Sequence, residues 1–467
     1  MLWANFLHFY QPPTQKPFWV NKIAAEAYRP IVKGLKKRPR TKLTLNASGV
    51  LLELLDACGN EDVIKDLREL LESGQIELTG SAKFHPLLPF LPKDEVVRQI
   101  KLNEETLKKY FGNYWQPRGF FPPEMAFDET VGEIAKELGY QWVIADELSF
   151  PADQRPIDYS RLYTIRGLGD FHIYFRERKM SWVILSGQVG TGRLLMQSLG
   201  NRLHKKEYLL TAMDGETFGH HRPGLEQLLF EIYENEKIEN VLISDLPKYF
   251  PEARPVEPAP STWALMEKDL EQKKPFSRWR DSDNAIHEMQ WELTNLAIES
   301  LRMADKNSPG YNEARDALDR ALHSDQYWWA SAKPWWSMEM IERGAKELSD
   351  AVVKTPGISQ KKKDKASDLY RSIIFTAFDW QRSGVIDDLA RQEDEDIRQR
   401  MDQGLPMLPK DEIEKMIKKL KEEMAAVAKK EEFERAAQIR DRIAELRRYE
   451  ADVVKPNFLS EGDREWG

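Results

Sequence analysis

The sequence has a single cysteine, Cys58, among its 467 residues. One cysteine excludes an internal disulfide framework and any metal site built from several cysteines, and it favours a cytosolic compartment. The sequence also has no apolar run of transmembrane length, and its apolar start lacks the basic residues that lead a signal peptide. We therefore expect a cytoplasmic chain that makes no contact with a membrane and begins with a β-strand.

Positive charge is in short supply as well. The chain has 69 Lys and Arg against 77 Asp and Glu, which gives a net charge of −8. Nucleic acids attract basic surfaces, so they are disfavoured as partners. A serine nucleophile elbow, a phosphate-binding glycine loop and a dinucleotide fingerprint are all missing. The adjacent His220 and His221 lack the spacing by which two helical histidines face one metal ion. We expect no metal and no cofactor.

Short apolar segments alternate with helical patterns through the first 250 residues, and this alternation favours a parallel α/β sheet. The predicted strands cover residues 2–8, 43–46, 75–79, 119–122, 142–144, 172–175, 208–213 and 241–243. Polar side chains occur where these strands end: His8, Asn46, Glu77, Thr79, Glu124, Asp146, Arg176 and Asp214. An α/β barrel gathers the carboxyl ends of its strands at one rim, where active sites form. The pattern favours such a barrel over a doubly wound sheet.

Two of these groups are carboxylates in similar settings. Asp214 lies between an apolar strand and a glycine-containing turn, and Glu124 follows two prolines that fix where it projects. Cleavage of a glycosidic bond needs two carboxyl groups, one at the anomeric carbon and one at the leaving oxygen. A separation of about 5–5.5 Å gives retention of configuration, and roughly 6.5–9.5 Å gives inversion. The alternative is structural: a turn or helix cap for Asp214, a helix N-terminal charge for Glu124.

The second half of the chain is predicted to be helical. A proline-rich break at 251–260 ends the first unit, 1–260, and amphipathic patterns indicate a helical bundle over 277–400. Within it, the tryptophan-rich stretch 326–336 fits either an interface core or a wall for stacking sugars. Residues 355–366 read as a solvated loop. Residues 410–449 form two short amphipathic helices, a hairpin whose small core needs a partner or the main body.

Five blocks of the first 350 residues resemble glycoside hydrolase family 57, in the family's order. They are His-Phe-Tyr-Gln-Pro-Pro at 8–13, residues 74–80 with His85 and Pro86, residues 119–127, residues 214–221, and the stretch 327–336. The resemblance implies α/β architecture as an incomplete, seven-stranded TIM-like (β/α) barrel followed by a helical bundle. It also implies retaining chemistry on α-linked glucan without a metal, with Glu124 as nucleophile and Asp214 as general acid/base.

The same resemblance suggests which residues bind the substrate. It places His8 and Gln11 at the donor sugar and matches Arg176 to the family's Phe-Arg-Asp segment, although Glu177 replaces the usual aspartate. The remaining predicted substrate-binding residues are Glu77, His85, Glu216, His220, His221, Trp328 and Trp335. The block at 121–124 lacks the tryptophan that the family often carries there.

Three functions remain open at this point. One is an amylase-like hydrolase, and another is a 4-α-glucanotransferase or branching enzyme, because the family contains all of these. The third is a glycan-binding scaffold whose hairpin recruits a partner protein. The hairpin resembles the UVR motif of UvrB and UvrC, which usually pairs with a copy of itself. We expect α-glucan or maltooligosaccharide as substrate and a protein contact at the hairpin, without a role in DNA repair.

Overall fold

The computed structural model of the protein describes residues 1–186, 191–401, 410–429 and 433–451. Its strands are β1 Leu2–Phe9, β2 Leu43–Ala47, β3 Ile76–Leu78, β4 Gly119–Phe120, β5 Trp142–Asp146, β6 Leu162–Ile165, β7 His172–Arg176, β8 Tyr208–Asp214, β9 Glu239–Asn240 and β10 Ala253–Val256. They form two sheets, one ordered β3-β2-β1-β8 with β9 also paired to β1, the other β10-β6-β7-β5-β4. Within the described ranges every strand pair is parallel except β6 with β7. The prediction of a parallel α/β architecture is confirmed.

Backbone hydrogen bonds also connect the two sheets. After β3, the Gly80 N–H donates to the Gly119 carbonyl at 2.8 Å, and the Phe121 N–H donates to the Gly80 carbonyl at 2.9 Å. After β7, the Glu177 N–H donates to the Leu210 carbonyl of β8 at 2.8 Å. Hydrogen bonds therefore link β1, β2, β3, β4, β5, β7 and β8 in succession.

Helices cover the outer surface of these sheets. They are α1 Pro17–Ile23, α2 Arg29–Lys36, α3 Gly49–Ala57, α4 Glu61–Glu72, α5 Lys93–Phe111, α6 Glu129–Glu137, α7 Arg178–Leu185, α8 Gly192–Leu199, α9 Glu226–Tyr233, α10 Leu246–Tyr249 and α11 Glu267–Glu271. A π-helical turn, Ala24–Tyr28, joins α1 to α2. Their apolar faces bury leucines and isoleucines against the strands, which is what the alternating sequence pattern requires.

Seven of the eight predicted strands match observed strands, and the eighth is wrong. The Val241 N–H still donates to the Trp3 carbonyl of β1 at 3.1 Å, but Ile243 begins a short 3₁₀ turn, Ile243–Asp245, and its N–H donates to the side-chain hydroxyl of Thr44 at 3.0 Å. Strands β6 and β10 are not predicted from the pattern. Strand β10 contains Pro255 and lies at the edge of its sheet, where a missing N–H leaves no ladder bond unmade.

The predicted helical second half is present. It contains α12 Ala285–Met303, α13 Tyr311–Ala321, α14 Asp325–Trp328, α15 Met338–Lys354, α16 Gln360–Ser383 and α17 Val385–Met401. Helices α12, α13, α15 and α16 share one apolar core. The loop predicted for 355–366 is wrong beyond Ser359, which caps α16 by accepting from the Lys362 N–H. The lysine run lies in the first turns of α16, since long unbranched side chains lose little freedom in a helix.

The C-terminal hairpin is also confirmed as two helices, α18 Lys410–Ala428 and α19 Phe433–Ala451. Their facing sides bury a small apolar cluster that includes Ile417, Leu420, Ile439 and Ile443. Residues 402–409 before the hairpin and 430–432 between its helices lie outside the described residues. Among the helices that the structure describes, none combines the length and apolar character needed to cross a membrane.

Candidate active site

A cleft of about 610 Å³ opens where the carboxyl ends of the strands meet the helical bundle. Both predicted catalytic carboxylates, Glu124 and Asp214, line it. So do the other predicted site residues except one: His8, Gln11, His85, Arg176, Glu216, His220, His221, Trp328 and Trp335. The cleft therefore joins residues that are more than 300 positions apart in the sequence.

Parallel register explains why strand-end residues meet here. His8 of β1 pairs with Asn46 of β2 on one side and with Asp214 of β8 on the other, so the three begin at the same level. The His8 Nδ1 lies 2.9 Å from the Asn46 Oδ1, and the Asn46 amide donates to the Thr79 hydroxyl at 3.1 Å. The His8 Nε2 lies 3.1 Å from the Nε2 of His85. These contacts fix both imidazole rings beside the cleft.

Glu124 is held by donors on both carboxylate oxygens. Its backbone has a φ of 60°, a left-handed turn that directly follows Pro122 and Pro123. The indole N–H of Trp263 donates to its Oε2 at 3.0 Å, and the Ser324 hydroxyl donates to its Oε1 at 3.2 Å. The His85 Nδ1 lies 3.6 Å from the same Oε1. Donors of this kind orient a carboxylate and favour its ionised form.

Asp214 is placed differently. Of the residues that the structure describes, none donates a hydrogen bond to its carboxylate. Burial raises its pKa to about 6, while the guanidinium of Arg176 pulls the pKa down. A carboxyl group with a raised pKa and without fixed donors can both release and accept a proton near neutral pH, as a general acid/base must.

Neighbouring carboxyl groups in the cleft oppose the ionisation of Glu124 and Glu216. Burial, together with the charges of Asp325 and Asp214, raises the pKa of Glu124 to about 8. Burial and the charge of Asp214 likewise raise the pKa of Glu216 to about 8. In the free protein the higher pKa of Glu124 favours a proton on Glu124 over one on Asp214. The donors from Trp263 and Ser324 work against that order, because they stabilise the Glu124 carboxylate.

We expect Glu124→Gln to be more stable than the wild type at pH 8. The native state keeps Glu124 protonated up to about pH 8, whereas the unfolded chain ionises it above about 4.5. The native state thus binds more protons in this window, and stability falls as pH rises through it. A neutral amide does not lose stability in this way. The free energy of unfolding of Glu124→Gln should therefore exceed that of the wild type by roughly 2–4 kcal/mol at pH 8 and by almost nothing at pH 4.

Urea unfolding of both proteins at the two pH values measures this difference. Glu133→Gln, the same change of charge at an exposed position of α6, serves as the control for a general effect of net charge. Equal free energies of unfolding for Glu124→Gln and wild type at pH 8 would contradict the raised pKa.

Glu216 organises the wall formed by the first sequence block. Its Oε1 accepts from the Tyr28 hydroxyl, from the Gln11 amide at 3.3 Å and from the Tyr10 N–H at 3.4 Å. Tyr28 belongs to the π-helical turn after α1. The predicted substrate residue Gln11 also donates to the Tyr28 hydroxyl at 3.1 Å, and its Oε1 accepts from the Gln15 amide at 2.9 Å.

Arg176, His220 and His221 also line the cleft. Arg176 is buried, with its Nη1 3.7 Å from the Asp146 carboxylate, and burial lowers its pKa to about 10. The His220 Nδ1 lies 2.6 Å from the Glu26 Oε2, and the exposed His221 follows at the cleft. In the described ranges, no three His, Cys, Asp or Glu side chains form a cluster able to hold a metal ion.

The tryptophans of the stretch 326–336 lie in two different environments. Trp328, Trp329 and Trp335 line the cleft, and Trp328 stacks with Trp335 at 6.2 Å between ring centroids. Trp336 turns away and stacks with Trp380 of α16 at 6.1 Å, against the core of the bundle. One segment thus supplies both a cleft wall and an internal contact.

Glu77 is the predicted site residue that does not line the cleft. Its Oε1 accepts from the Thr44 hydroxyl at 2.7 Å and from the Ser244 N–H at 3.1 Å. It precedes Thr79 by two residues, so it lies one layer deeper between the strands. The expectation that Glu77 contacts substrate is corrected: it ties β2 and β3 to the turn after β9.

The sequence patterns do not identify three further residues of the cleft. Trp263, which binds Glu124, follows the proline-rich stretch that reads as a linker. Tyr10 donates to the Asp325 Oδ2 at 2.6 Å, and the His323 Nδ1 lies 3.1 Å from the same oxygen. The only signal for Asp325 is its place directly before the tryptophan-rich stretch.

Known proteins are similar to this chain in sequence and in fold. The chain is 26% identical over 282 residues to an α-amylase of Pyrococcus horikoshii, covering 57% of this chain and 44% of the relative. It is 23% identical over 343 residues to a 4-α-glucanotransferase of Thermococcus kodakarensis, covering 66% and 52%. The chain thus spans about half the length of the curated relatives it matches. The crystal structure of a branching enzyme from Thermococcus kodakaraensis shares the fold, with a TM-score of 0.63 at 16% identity over 81% of this chain and 96% of that one.

Two family models match the chain. The UvrB/uvrC motif matches residues 414–449, within α18 and α19 and their connection. The model of glycosyl hydrolase family 57 matches residues 9–255, more than half of the chain, and these residues carry most of the cleft. The chain belongs to glycosyl hydrolase family 57.

Proposed function

We propose that the protein is a retaining, amylase-like glycoside hydrolase or transglycosylase that acts on α-linked glucan. One observation carries the proposal: Glu124 and Asp214 line the same cleft, and the charge of Asp214 raises the pKa of Glu124. Two carboxyl groups close enough to influence each other are what glycoside cleavage requires. The relatives named α-amylase and 4-α-glucanotransferase support α-glucan as the substrate class.

In the first step, Glu124 attacks the anomeric carbon while Asp214 gives its proton to the glycosidic oxygen. The bond to the leaving sugar breaks, and a glycosyl ester of Glu124 forms. In the second step, Asp214 takes a proton from water or from a sugar hydroxyl, which attacks the same carbon and releases Glu124. The donors from Trp263 and Ser324 suit Glu124 to the attacking role, because they orient the carboxylate and stabilise its charge.

The remaining cleft residues would hold the sugar. The rings of Trp328 and Trp335 offer faces for the C–H surfaces of glucose units. Polar groups suited to sugar hydroxyls surround them: His8, Gln11, His85, Arg176, Glu216, His220 and His221. Fixed contacts among these groups reduce the entropy lost when substrate binds.

The fold proposal follows from the hydrogen bonds between the sheets. Strands β1 to β5, β7 and β8 would form the incomplete (β/α)7 barrel, with β9 and the β6–β10 pair outside it. In the described residues a single backbone hydrogen bond, from the Glu177 N–H after β7 to the Leu210 carbonyl of β8, joins these two strands, which supports an incomplete closure. We take 1–260 as the barrel unit, 277–400 as the bundle that completes the cleft, and 410–449 as a protein-contact hairpin.

Transfer to a sugar, as in a glucanotransferase or branching enzyme, is the second candidate. The cleft walls favour it, because six tryptophans line them: Trp19, Trp182, Trp263, Trp328, Trp329 and Trp335. Walls of this kind displace water and favour a sugar as the acceptor.

Incubation with soluble starch and with maltoheptaose separates the candidates. New reducing ends indicate hydrolysis, redistribution of chain lengths without new ends indicates 4-α-transfer, and new α-1,6 linkages seen by NMR indicate branching. Glycan binding without any chemical change would refute the enzyme and favour the scaffold.

Trp328→Ala and Trp336→Ala should affect different properties. Loss of the Trp328 ring from the cleft is expected to raise KM for maltoheptaose about 5–30-fold, because a stacking contact is worth roughly 1–2 kcal/mol. Loss of Trp336, which packs on Trp380, should lower the melting temperature and leave KM within about twofold. Steady-state kinetics and thermal unfolding of the matched pair provide the test. Equal effects on KM would contradict a sugar-binding role for Trp328.

A further inference from the structure

Arg435 of α19 reaches from the C-terminal hairpin into the main body. Its Nη2 donates to the Glu226 Oε1 of α9 at 2.7 Å and to the Glu423 Oε1 of α18 at 3.0 Å. Its Nη1 donates to the backbone carbonyl of Glu26 at 3.3 Å. The Arg435 side chain is only 12% exposed. The Arg435 guanidinium thus connects both helices of the C-terminal hairpin to two separate elements of the α/β part, the π-helical turn and α9.

Glu26 connects this contact to the cleft. Its carboxylate lies 2.6 Å from the ring of His220, which lines the cleft. Its carbonyl, which accepts from Arg435, also packs against Gly219, where a Cβ would lie 2.0 Å from that oxygen. Gly219 has a φ of 120°, so it combines a backbone conformation and a close approach that favour glycine. The segment after Asp214 therefore rests on the same peptide group that Arg435 holds.

The second contact acts on the same segment from its other end. Glu226 is buried at the start of α9, directly after the segment 215–225. The Arg435 guanidinium lies between its carboxylate and that of Glu423. Removing the guanidinium would leave two carboxylates facing each other in a mostly buried place, an arrangement that is strongly unfavourable. One of the two carboxyl groups would then have to bind a proton, or α9 and the hairpin would have to separate.

We propose that the C-terminal hairpin braces the wall of the cleft that follows Asp214, with Arg435 as the positioning residue. The inference rests on the proposed function in so far as this wall binds glucan. It assigns the hairpin a role within its own chain: the hairpin sets the position of His220 and His221. Because Arg435 acts through Glu26 and Glu226, its loss weakens substrate binding more than the chemical step.

Arg435→Ala in the full chain tests this, with Lys419→Ala as the matched control. Lys419 also pairs the hairpin with the body, through Glu231 of α9, and among the described residues neither of these two side chains forms a hydrogen bond or ion pair with Glu26 or with the segment 215–225. Arg435→Ala should raise KM for maltoheptaose about 3–10-fold with kcat within about twofold. Lys419→Ala should change neither, and Arg435→Lys, which keeps the charge, should recover part of the loss.

Hydrogen–deuterium exchange of the peptide covering 215–225, in the free protein, gives a readout that does not depend on activity. Arg435→Ala should speed exchange there at least about threefold relative to both wild type and Lys419→Ala. Unchanged exchange and unchanged KM would overturn the brace. A wild type that turns over no glucan would refute the proposed function, while faster exchange in Arg435→Ala would still support the brace.

Discussion

Replacing Glu124 by glutamine is expected to lower kcat/KM for maltoheptaose by about 10³-fold or more, because an amide cannot form the covalent glycosyl intermediate. Folding should survive, since the amide oxygen can still accept one of the hydrogen bonds from Trp263 and Ser324. Glu77→Gln is the matched control: the same substitution, buried between strands and outside the cleft. Its activity should stay within a few-fold of wild type.

Azide distinguishes the attacking role from any other effect of this substitution. In Glu124→Ala, azide can enter the space of the lost carboxylate and attack the anomeric carbon of α-glucosyl fluoride directly. One displacement inverts the configuration, so the product should be the β-glucosyl azide. An α-azide from this variant would mean that another residue is the nucleophile, and the assignment of Glu124 would be wrong.

Replacing Asp214 by asparagine is expected to lower kcat/KM for maltoheptaose by about 10²–10⁴-fold, the range for loss of a general acid. Fluoride leaves without needing a proton, so kcat/KM for α-glucosyl fluoride should fall less than about tenfold. The contrast between the two substrates separates proton donation from general damage to the cleft. The contrast also tests whether Asp214 is the proton donor although Glu124 has the higher pKa of the two in the free protein.

Azide should again give a distinctive product with this variant. Without its general base, the glycosyl ester on Glu124 reacts slowly with water, and azide can take its place without base assistance. Two displacements restore the configuration, so the product should be the α-glucosyl azide. Equal losses on both substrates, or a β-azide from Asp214→Asn, would contradict a general acid/base role.

The core of the site could be predicted because parallel strands place their ends at one rim. His8, Asn46 and Asp214 follow three apolar segments in the sequence, and the register pairs them side by side. Glu77 shows the limit of that rule. A pattern gives the position of a residue along a strand only to within a residue or two, and two residues equal one full layer of depth. Glu77 therefore reads as a rim residue and is buried below the rim.

Other parts of the site depend on contacts that no local pattern encodes. Trp263 lies 139 positions from Glu124 and comes from a segment whose prolines indicate only a break. The four tryptophans of 328–336 have similar sequence neighbours, yet three face the cleft and Trp336 faces the bundle. Their division is set by how the bundle packs on the α/β part. The docking of Arg435 is of the same kind, because it joins residues 409 positions apart.

The most direct test of the central claim is to trap the intermediate with a 5-fluoro-α-glucosyl fluoride and to locate the attached sugar by peptide mass spectrometry. The fluorine slows both steps, and the good leaving group restores the first, so the ester accumulates. The account predicts one added sugar, carried by Glu124 and absent from the Glu124→Gln variant. A sugar attached to Asp214 or Glu216, or the release of product with inverted configuration and no adduct, would contradict it.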